Sequence, residues 1–287
     1  MTGTTLRPQT AGLDAATRYI EANLMADLSV AELARVAGLS EFHFTRQFSA
    51  RFGQSAIAFV RARRMQVAAR ALAMGDDRSL VELAFDLGFD SQEGFTRAFK
   101  RAFGVSPGRF RKGAAPLGSL EISMTATAVF QDNLTANPTP VRNGPLRLAG
   151  KVGYFPEEQK FMIPTLWNEL FQSGEVKPGR VTYGACWGAG QERGMGYLAG
   201  VALADGEPVP EGLTLMEVAA RTYLTFRLEL SDGDIHPQIL GASKAIWGEL
   251  LPASGCSLAN APDLEFYPAD FAPKAGKWIE YWVPVEA

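Results

Sequence analysis

Two short stretches of this chain repeat each other and decide the fold of its first part. Residues 29–39 read SVAELARVAGL, and residues 79–89 read SLVELAFDLGF, with Ser, Glu, Leu, Ala and Gly in matching places. Residues 44–53 (FTRQFSARFG) match residues 95–104 (FTRAFKRAFG) in the same way. The same supersecondary unit therefore occurs twice in the first part of the chain.

Each copy predicts a helix, a tight turn and a second helix. A serine begins each copy, Ser29 in the first and Ser79 in the second, and a glutamate follows three residues later, which is the pattern of a capping box. Gly38 and Gly88 follow apolar faces at helical spacing, where a left-handed glycine commonly ends a helix. A sharp turn should therefore separate the two helices of each copy.

The second helix of each copy combines aromatic residues on one face with Arg or Lys on the other. We expect these helices to be capped by Ser40 in the first copy and by Asp90 or Ser91 in the second. An amphipathic helix with a solvated charged face would explain one such copy. Two copies in a cationic segment favour second helices that enter the major groove of DNA.

One connecting helix is predicted between the copies. Residues 57–74 contain neither Gly nor Pro and place apolar residues at helical spacing. At about 1.5 Å per residue such a helix spans roughly 27 Å, comparable with the roughly 34 Å repeat of B-DNA. One chain could then place both second helices in successive major grooves, which suits an asymmetric site of about two turns.

The charge of the chain is divided unevenly between its two parts. Residues 1–113 hold 16 basic and 11 acidic side chains, whereas the remainder holds 12 basic and 20 acidic ones. A basic first part is typical of nucleic-acid binding. The absence of a signal peptide and of a long apolar run, with Cys186 and Cys256 far apart, predicts a cytoplasmic protein with reduced thiols and no membrane association.

Residues 14–112 resemble the DNA-binding domain of the AraC/XylS family, in the MarA/SoxS/Rob-like subgroup. Residues 88–107, followed by Phe110 and Arg111, are similar to the family signature. The resemblance implies double-stranded DNA as partner, and RNA polymerase stays an open second partner. The residues that it implies for base contacts are Phe42, Thr45, Arg46, Gln92, Glu93, Thr96 and Arg97. The residues that it implies for phosphate contacts are Ser40, Arg51, Lys100, Arg101 and Arg109.

Arg46 and Arg97 are the strongest base-reading candidates, because a guanidinium can donate to guanine O6 and N7 at once. Gly94 departs from the family pattern and should cost about 1 kcal/mol of helix stability relative to alanine. Glu93 could accept a hydrogen bond from cytosine N4 or stabilise the start of its helix, and both interpretations stay open.

The second part of the chain has a different composition. Loop-like residues around 116 mark its start. Beyond them, short β-rich runs, the first at 120–130, alternate with a further loop-like stretch at 133–145 and with helical candidates at 163–172 and 237–251. The sequence thus predicts two domains. Residues 1–115 form an all-α domain with two helix-turn-helix units joined by a long helix, and residues 116–287 form an α+β domain with an antiparallel sheet and two helices.

The last strand carries a carboxylate between two indoles. Strand alternation places Trp278, Glu280 and Trp282 on one face and Ile279, Tyr281 and Val283 on the other. One interpretation is a solvated strand edge with Glu280 pointing outwards. The other is an aromatic pocket with an acidic anchor, suited to a lipophilic cation.

This second part resembles the GyrI-like small-molecule-binding domain. The resemblance lies in GYLAGV (196–201), LLPASG (250–255), PDLEFY (262–267) and WIEYWVPV (278–285). It implies a small-molecule effector and the same anchoring role for Glu280. Further lining candidates are Trp278, Trp282, Trp187, Tyr154, Tyr223 and Tyr267. Glu265 is interpreted as structural.

Two other functions remain open for this domain. Glu280 could serve as the general base of a small-molecule hydrolase, or the domain could only contact protein partners. The chain has two histidines, His43 and His236, in different domains, and no catalytic triad or metal-ligand spacing is visible. We therefore predict a regulator that is not an enzyme, with no catalytic residue, cofactor or metal.

Overall fold

The computed structural model contains two compact units, one helical and one built on a sheet. The described residues are 9–113, 133–135, 139–177, 179–188 and 194–286. The predicted boundary near residue 116 and the β-rich run at 120–130 lie outside them. None of the described helices has the length and apolar character needed to cross a membrane.

The helical unit contains both predicted helix-turn-helix copies. Its helices are α1 (Gln9–Ala22), α2 (Val30–Ala37), α3 (Glu41–Phe52), α4 (Ala56–Ala73), α5 (Leu80–Asp86), α6 (Gln92–Phe103) and α7 (Pro107–Arg111). The first copy is α2 with α3, and the second is α5 with α6. The predicted connecting helix is α4.

Local capping determines where these helices begin. The Ser79 side chain accepts from the Glu82 amide while Glu82 accepts from the Ser79 amide, so the predicted capping box is complete in the second copy. In the first copy Ser29 accepts from the Glu32 amide, but the Glu32 carboxylate accepts from the hydroxyl of Tyr19 at 2.5 Å. This first box is therefore only half formed, and Glu32 instead links α2 to α1.

The second helices begin at serines, as expected. Ser40 accepts from the His43 amide, and Ser91, rather than Asp90, caps α6. Gly38 has φ 70° directly after α2, which is the left-handed conformation that the sequence predicts there.

Each copy has its own hydrophobic core, and α4 contributes to both. The first core includes Phe44, Phe48 and Phe59, and the second includes Phe95 and Phe99, all buried. The partly buried Val67 packs against both clusters. The sequence predicts four core aromatics in the second helices. Phe48 and Phe99 are fully buried, whereas Phe52 and Phe103 are partly buried and pack against the two clusters.

The second unit is one antiparallel sheet. Its strands are β1 (Thr139–Asn143), β2 (Leu146–Phe155), β3 (Thr182–Gly188), β4 (Met195–Leu203), β5 (Thr214–Val218), β6 (Arg221–Glu229), β7 (Asp263–Tyr267) and β8 (Trp278–Val285). Their order across the sheet is β1-β6-β8-β7-β3-β4-β2-β5. The interpretation of residues 133–145 as loop was wrong for β1. Pro140 is tolerated there because β1 is an edge strand.

The sheet consists of two similar halves that meet at β3 and β7. The first half runs β2, helix, β3 and β4, and the second runs β6, helix, β7 and β8. The first helix, α8 (Ile163–Gln172), has the predicted bounds. The second, α9 (Ile235–Ala245), continues through a π-helical turn into α10 (Leu251–Ser254), so the predicted helix is present and longer.

Both helices pack on the same face of the sheet. Trp167 of α8 donates to the Tyr197 hydroxyl, and the Tyr281 hydroxyl donates to the Ile239 carbonyl of α9. We call this side the helix face and the other side the opposite face. Cross-strand register places Glu265 on the helix face and Glu280 on the opposite face.

Candidate functional site

Helix α6 presents polar side chains away from its core. Gln92, Glu93 and Arg97 are exposed, whereas Phe95 and Phe99 are fully buried. Glu93 and Arg97 approach to 3.9 Å between carboxylate and guanidinium. Such an exposed pair is weak, so Arg97 loses little by leaving it for another acceptor.

Helix α3 presents its predicted base-contacting residues less openly. Phe42, Thr45 and Arg46 are half-buried, as is Thr96 in the second copy. The Arg46 guanidinium lies over the Phe42 ring at 5.5 Å, a cation-π distance that restrains both side chains. The predicted base-contacting residues of each copy thus lie on a single helix, α3 in the first copy and α6 in the second.

The space around Gly94 does not explain why a glycine occurs in α6. Its amide donates to the Ser91 hydroxyl at 3.1 Å, which any residue could do. A Cβ at this position would meet only the Ser91 hydroxyl oxygen, at 3.3 Å. The helix-weakening glycine therefore has no packing reason in this structure.

The residues predicted to contact phosphate divide into two groups. Lys100, Arg101 and Arg109 are exposed. Ser40 is engaged as the cap of α3, and the Arg51 guanidinium lies 2.7 Å from the Asp14 carboxylate. A phosphate would have to compete with Asp14 for Arg51, which is therefore the weaker candidate. The Ser40 hydroxyl can still donate to a phosphate while it accepts from the His43 amide.

His43 is buried within α3, and its pKa is lowered to about 4. Burial disfavours the charged imidazolium, and the neighbouring Arg46 charge adds to the effect. The neutral form is therefore built into the fold of the first helix-turn-helix unit.

We expect the helical unit to lose stability as the pH falls from about 6.5 towards 4. In that window His43 binds a proton in the unfolded chain but not in the folded one. The difference lowers the free energy of unfolding by about 3 kcal/mol over the whole range. All five tryptophans follow residue 113, so circular dichroism at 222 nm, compared with tryptophan fluorescence, distinguishes unfolding of the helical unit. In His43→Gln the stability of the helical unit should change much less between pH 7 and 5. The control His236→Gln should keep the pH dependence of the parent. A dependence unchanged in His43→Gln would contradict this account.

The opposite face of the sheet carries the predicted carboxylate between indoles. Trp282 donates its indole N–H to Glu280 at 2.9 Å, and the Phe266 ring stacks on Trp282 with an 8° interplanar angle. Phe266 also stacks on Trp278. These four residues form what we call the Glu280 cluster.

A protein cation already lies in the Glu280 cluster. Arg227 is directly opposite Glu280 in the β6–β8 register, and its guanidinium carbon is 4.1 Å from the Trp278 ring centre. Tyr183 packs edge-on against Trp282, and its pKa is raised to about 12 by burial and, secondarily, by Glu280. The Arg227 guanidinium also lies 3.4 Å from the Glu229 carboxylate. An incoming cation would therefore compete with Arg227 for the Trp278 ring.

A second carboxylate lies on the helix face. Glu265 accepts from the Tyr197 hydroxyl at 2.6 Å and from the Tyr267 hydroxyl at 3.0 Å, and Trp167 donates to Tyr197 at 3.0 Å. Burial, followed by the Glu265 charge, raises the pKa of both tyrosines well above its usual value. The hydroxyls thus stay neutral donors to the carboxylate.

Aromatic rings and one glycine complete this site, which we call the Glu265 cluster. Trp167 packs edge-on against Tyr267 at 5.1 Å and stacks on the exposed Phe171, while Phe271 packs on Tyr267. Gly184 lies opposite Glu265 in the β3–β7 register. A Cβ on Gly184 would approach the Tyr197 oxygen to 2.2 Å, so the absence of a side chain creates room for the cluster.

The predicted effector residues therefore lie on both faces. Trp278, Glu280, Trp282, Tyr223, Trp187 and Tyr154 are on the opposite face, the last two in edge-on contact at 6.3 Å. Tyr267 is on the helix face with Glu265, which the sequence interpretation set aside as structural. Alternation along β7 pairs Glu265 with Tyr267, and that signal could have indicated the second cluster.

Metal binding has no support in the part of the chain that the structure describes, where no group of three or more His, Cys, Asp or Glu side chains could hold an ion. Residues 189–193, in the glycine-rich stretch after β3, lie outside the described residues, and the flanking strands β3 and β4 pair antiparallel.

Comparisons with protein families match both units. A model described as a helix-turn-helix domain matches residues 33–113, and one described as an integron-associated effector binding protein matches residues 145–285.

Relatives with curated names match the first unit. An uncharacterised HTH-type transcriptional regulator, YbfP of Bacillus subtilis (strain 168), is 38% identical over 93 residues, which are 32% of this chain and 31% of that protein. The transposon Tn10 TetD protein of Escherichia coli is 36% identical over 94 residues, which are 33% of this chain and 67% of TetD. The match thus spans about a third of the length of the first of these relatives.

Among solved structures, SAV2435 bound to tetraphenylphosphonium aligns with 53% of this chain and 94% of its own, at 17% identity and a TM-score of 0.43.

The fold and the family matches define a two-domain chain with a paired helix-turn-helix domain followed by an effector-binding type of domain. The chain belongs to the AraC-type helix-turn-helix family, and its second domain is of the GyrI-like type represented by the integron-associated effector binding proteins.

Proposed function

We propose that the chain is a DNA-binding transcription regulator whose second domain binds a small lipophilic cation. The observation that carries the proposal is the pair of second helices, α3 and α6, each capped at its start and joined through the single helix α4. Each copy directs a guanidinium, Arg46 or Arg97, away from a buried aromatic core. This arrangement supports reading of two adjacent stretches of major groove.

The Glu265 cluster is the better candidate for the effector anchor. The carboxylate is held in place by two tyrosine hydroxyls. Trp167 and Phe271 pack on Tyr267, and Phe171 stacks on Trp167. Aromatic faces and a fixed negative charge together favour a cation with apolar substituents. Gly184 and Tyr281 lie opposite Glu265 in the sheet register, and Gly184 leaves space beside the carboxylate.

The Glu280 cluster is the second candidate. It offers more stacked indole surface, but Arg227 occupies the cation-π position on Trp278 and lies opposite the carboxylate. Binding of a cation there would have to displace Arg227. We therefore place the Glu280 cluster behind the Glu265 cluster.

A thermal-shift titration with tetraphenylphosphonium tests the effector proposal. Unfolding of the second domain, followed by tryptophan fluorescence, should move to higher temperature with ligand concentration. Glu265→Gln keeps an acceptor of the same size but removes the charge, and should weaken binding by about tenfold or more. Glu280→Gln is the matched control and should bind as the parent does. Neutral triphenylphosphine oxide should stabilise the parent much less.

Other outcomes distinguish the remaining functions. Loss of binding in Glu280→Gln alone would move the anchor to the opposite face. No stabilisation by any lipophilic cation would favour a protein-interaction domain. Turnover of a bound compound, abolished by either substitution, would show a hydrolase and overturn the regulator-only proposal.

A further inference from the structure

One arginine of the connecting helix contacts the loop that precedes the first helix-turn-helix copy and the turn inside the second copy. The Arg64 guanidinium donates to the Leu24 and Ala26 carbonyls, each at 2.8 Å, in the segment between α1 and α2. Its third contact is the Gly88 carbonyl at 3.5 Å, in the turn between α5 and α6. The same side chain therefore joins the loop that precedes the first copy to the turn inside the second.

The turn of the second copy fits closely around this guanidinium. Gly88 has φ 71°, and a Cβ added there would lie 2.8 Å from an Arg64 nitrogen. The planar, five-donor guanidinium can donate in several directions at once, which a lysine ammonium on a flexible stem does with less geometric definition. Gly88 thus serves two purposes, a left-handed turn and close approach of Arg64.

The copies are also connected through the helix that they share. They share α4, and Val67 packs against both hydrophobic cores. Arg64 adds a connection away from the axis of α4, because it ties the loop preceding one helix-turn-helix unit to the turn inside the other. Its contacts therefore restrict rotation of one copy about α4 relative to the other.

We infer that Arg64 is a positioning residue that sets the separation and rotation of the two recognition helices, and with them the spacing of the two half-sites on DNA. The consequence for DNA rests on the proposed DNA-binding function, whereas the consequence for the geometry of the helical unit does not. Arg64 itself need not touch DNA for either.

The neighbouring Arg63 provides a matched control. It forms an ion pair with Glu21 of α1, with nitrogen–oxygen distances of 2.6 and 2.8 Å, and also contacts Gln66. These partners lie in α1 and α4, so Arg63 does not connect to the second copy. Arg63→Ala removes a comparable arginine from the same helix without removing the connection.

The first experiment measures the geometry of the full-length chain without DNA. Spin labels at Ala31→Cys in α2 and Val81→Cys in α5, both exposed positions, report the distance between copies when Cys186 and Cys256 are replaced by alanine. We expect a narrow distance distribution in the parent and in Arg63→Ala. Arg64→Ala should broaden it, and Arg64→Lys should broaden it to a smaller degree.

The second experiment measures tolerance of half-site spacing. An operator selected by the parent from random duplexes is altered by inserting or deleting one base pair between its two half-sites, a displacement of about 3.4 Å with a rotation. The parent and Arg63→Ala should lose about tenfold in affinity, equivalent to about 1.4 kcal/mol. Arg64→Ala should bind the original operator less tightly and lose less than about threefold on altering it.

The two experiments distinguish failure of the inference about Arg64 from failure of the DNA-binding proposal. A spacing profile and a distance distribution that are both unchanged in Arg64→Ala would overturn the inference. If the parent selects no sequence at all, the DNA-binding proposal fails, and the spin-label distances still decide whether Arg64 fixes the two copies. Arg64→Lys, which keeps the charge, provides the folded variant if Arg64→Ala does not fold.

Discussion

The double variant Arg46→Ala/Arg97→Ala should bind its selected operator about 30-fold less tightly or worse, because each bidentate arginine–guanine contact contributes roughly 1 to 3 kcal/mol of discrimination. Its affinity for unrelated duplexes should change far less. Both guanidiniums extend from second helices whose other side is a buried phenylalanine core, so their removal leaves the fold intact. Electrophoretic shifts with selected and random duplexes at one salt concentration measure the two losses.

Lys100→Ala is the matched control on α6. Lys100 is exposed in the last turn of the same helix, and we predict that it contacts phosphate. Its removal should weaken binding to selected and random duplexes alike. The number of counterions released on binding, measured from the salt dependence of the affinity, should fall by about one. Equal losses on both duplexes in the double arginine variant would remove Arg46 and Arg97 as base readers.

The helical unit was the more predictable half of the chain because its signals are local. The capping serines and the left-handed glycine act over a few residues and recur in both copies, and α4 is marked by an uninterrupted stretch without Gly or Pro. The bond between Tyr19 and Glu32 and the contacts of Arg64 were not visible. They join residues that are 13 to 40 positions apart, and no periodic pattern marks them.

The sheet was predictable in its strands but not in its pairing. Alternation along β8 correctly separated Glu280 from Tyr281, but it could not show which face the helices cover. That depends on the side on which the β–helix–β connections cross the sheet. Nor could it show the register of β3 with β7, which brings Gly184 opposite Glu265 from the two halves of the sheet. Hence the sequence indicated one acidic aromatic cluster, whereas the structure contains two.

Gly184→Ala should therefore damage the Glu265 cluster specifically. The added Cβ would lie 2.2 Å from the Tyr197 oxygen and 2.6 Å from a Glu265 oxygen, so both side chains would have to leave their hydrogen bond. Overpacking of a buried site typically costs about 1 to 3 kcal/mol. We expect the free energy of unfolding of the second domain, followed by tryptophan fluorescence, to fall by that amount. Stabilisation by tetraphenylphosphonium should be lost as well.

A double-mutant cycle with Tyr197→Phe distinguishes this clash from a general effect of alanine in β3. Removing the hydroxyl eliminates the closest contact of the new Cβ, although the ring carbon at 2.8 Å remains. The two substitutions should therefore be non-additive, with the double variant more stable than the sum of the single losses predicts by about 1 kcal/mol. Strict additivity would mean that Gly184 does not act through Tyr197. If Gly184→Ala nevertheless retained the full ligand response, the effector would not depend on the arrangement of Tyr197 and Glu265, and the anchor would have to be sought on the opposite face.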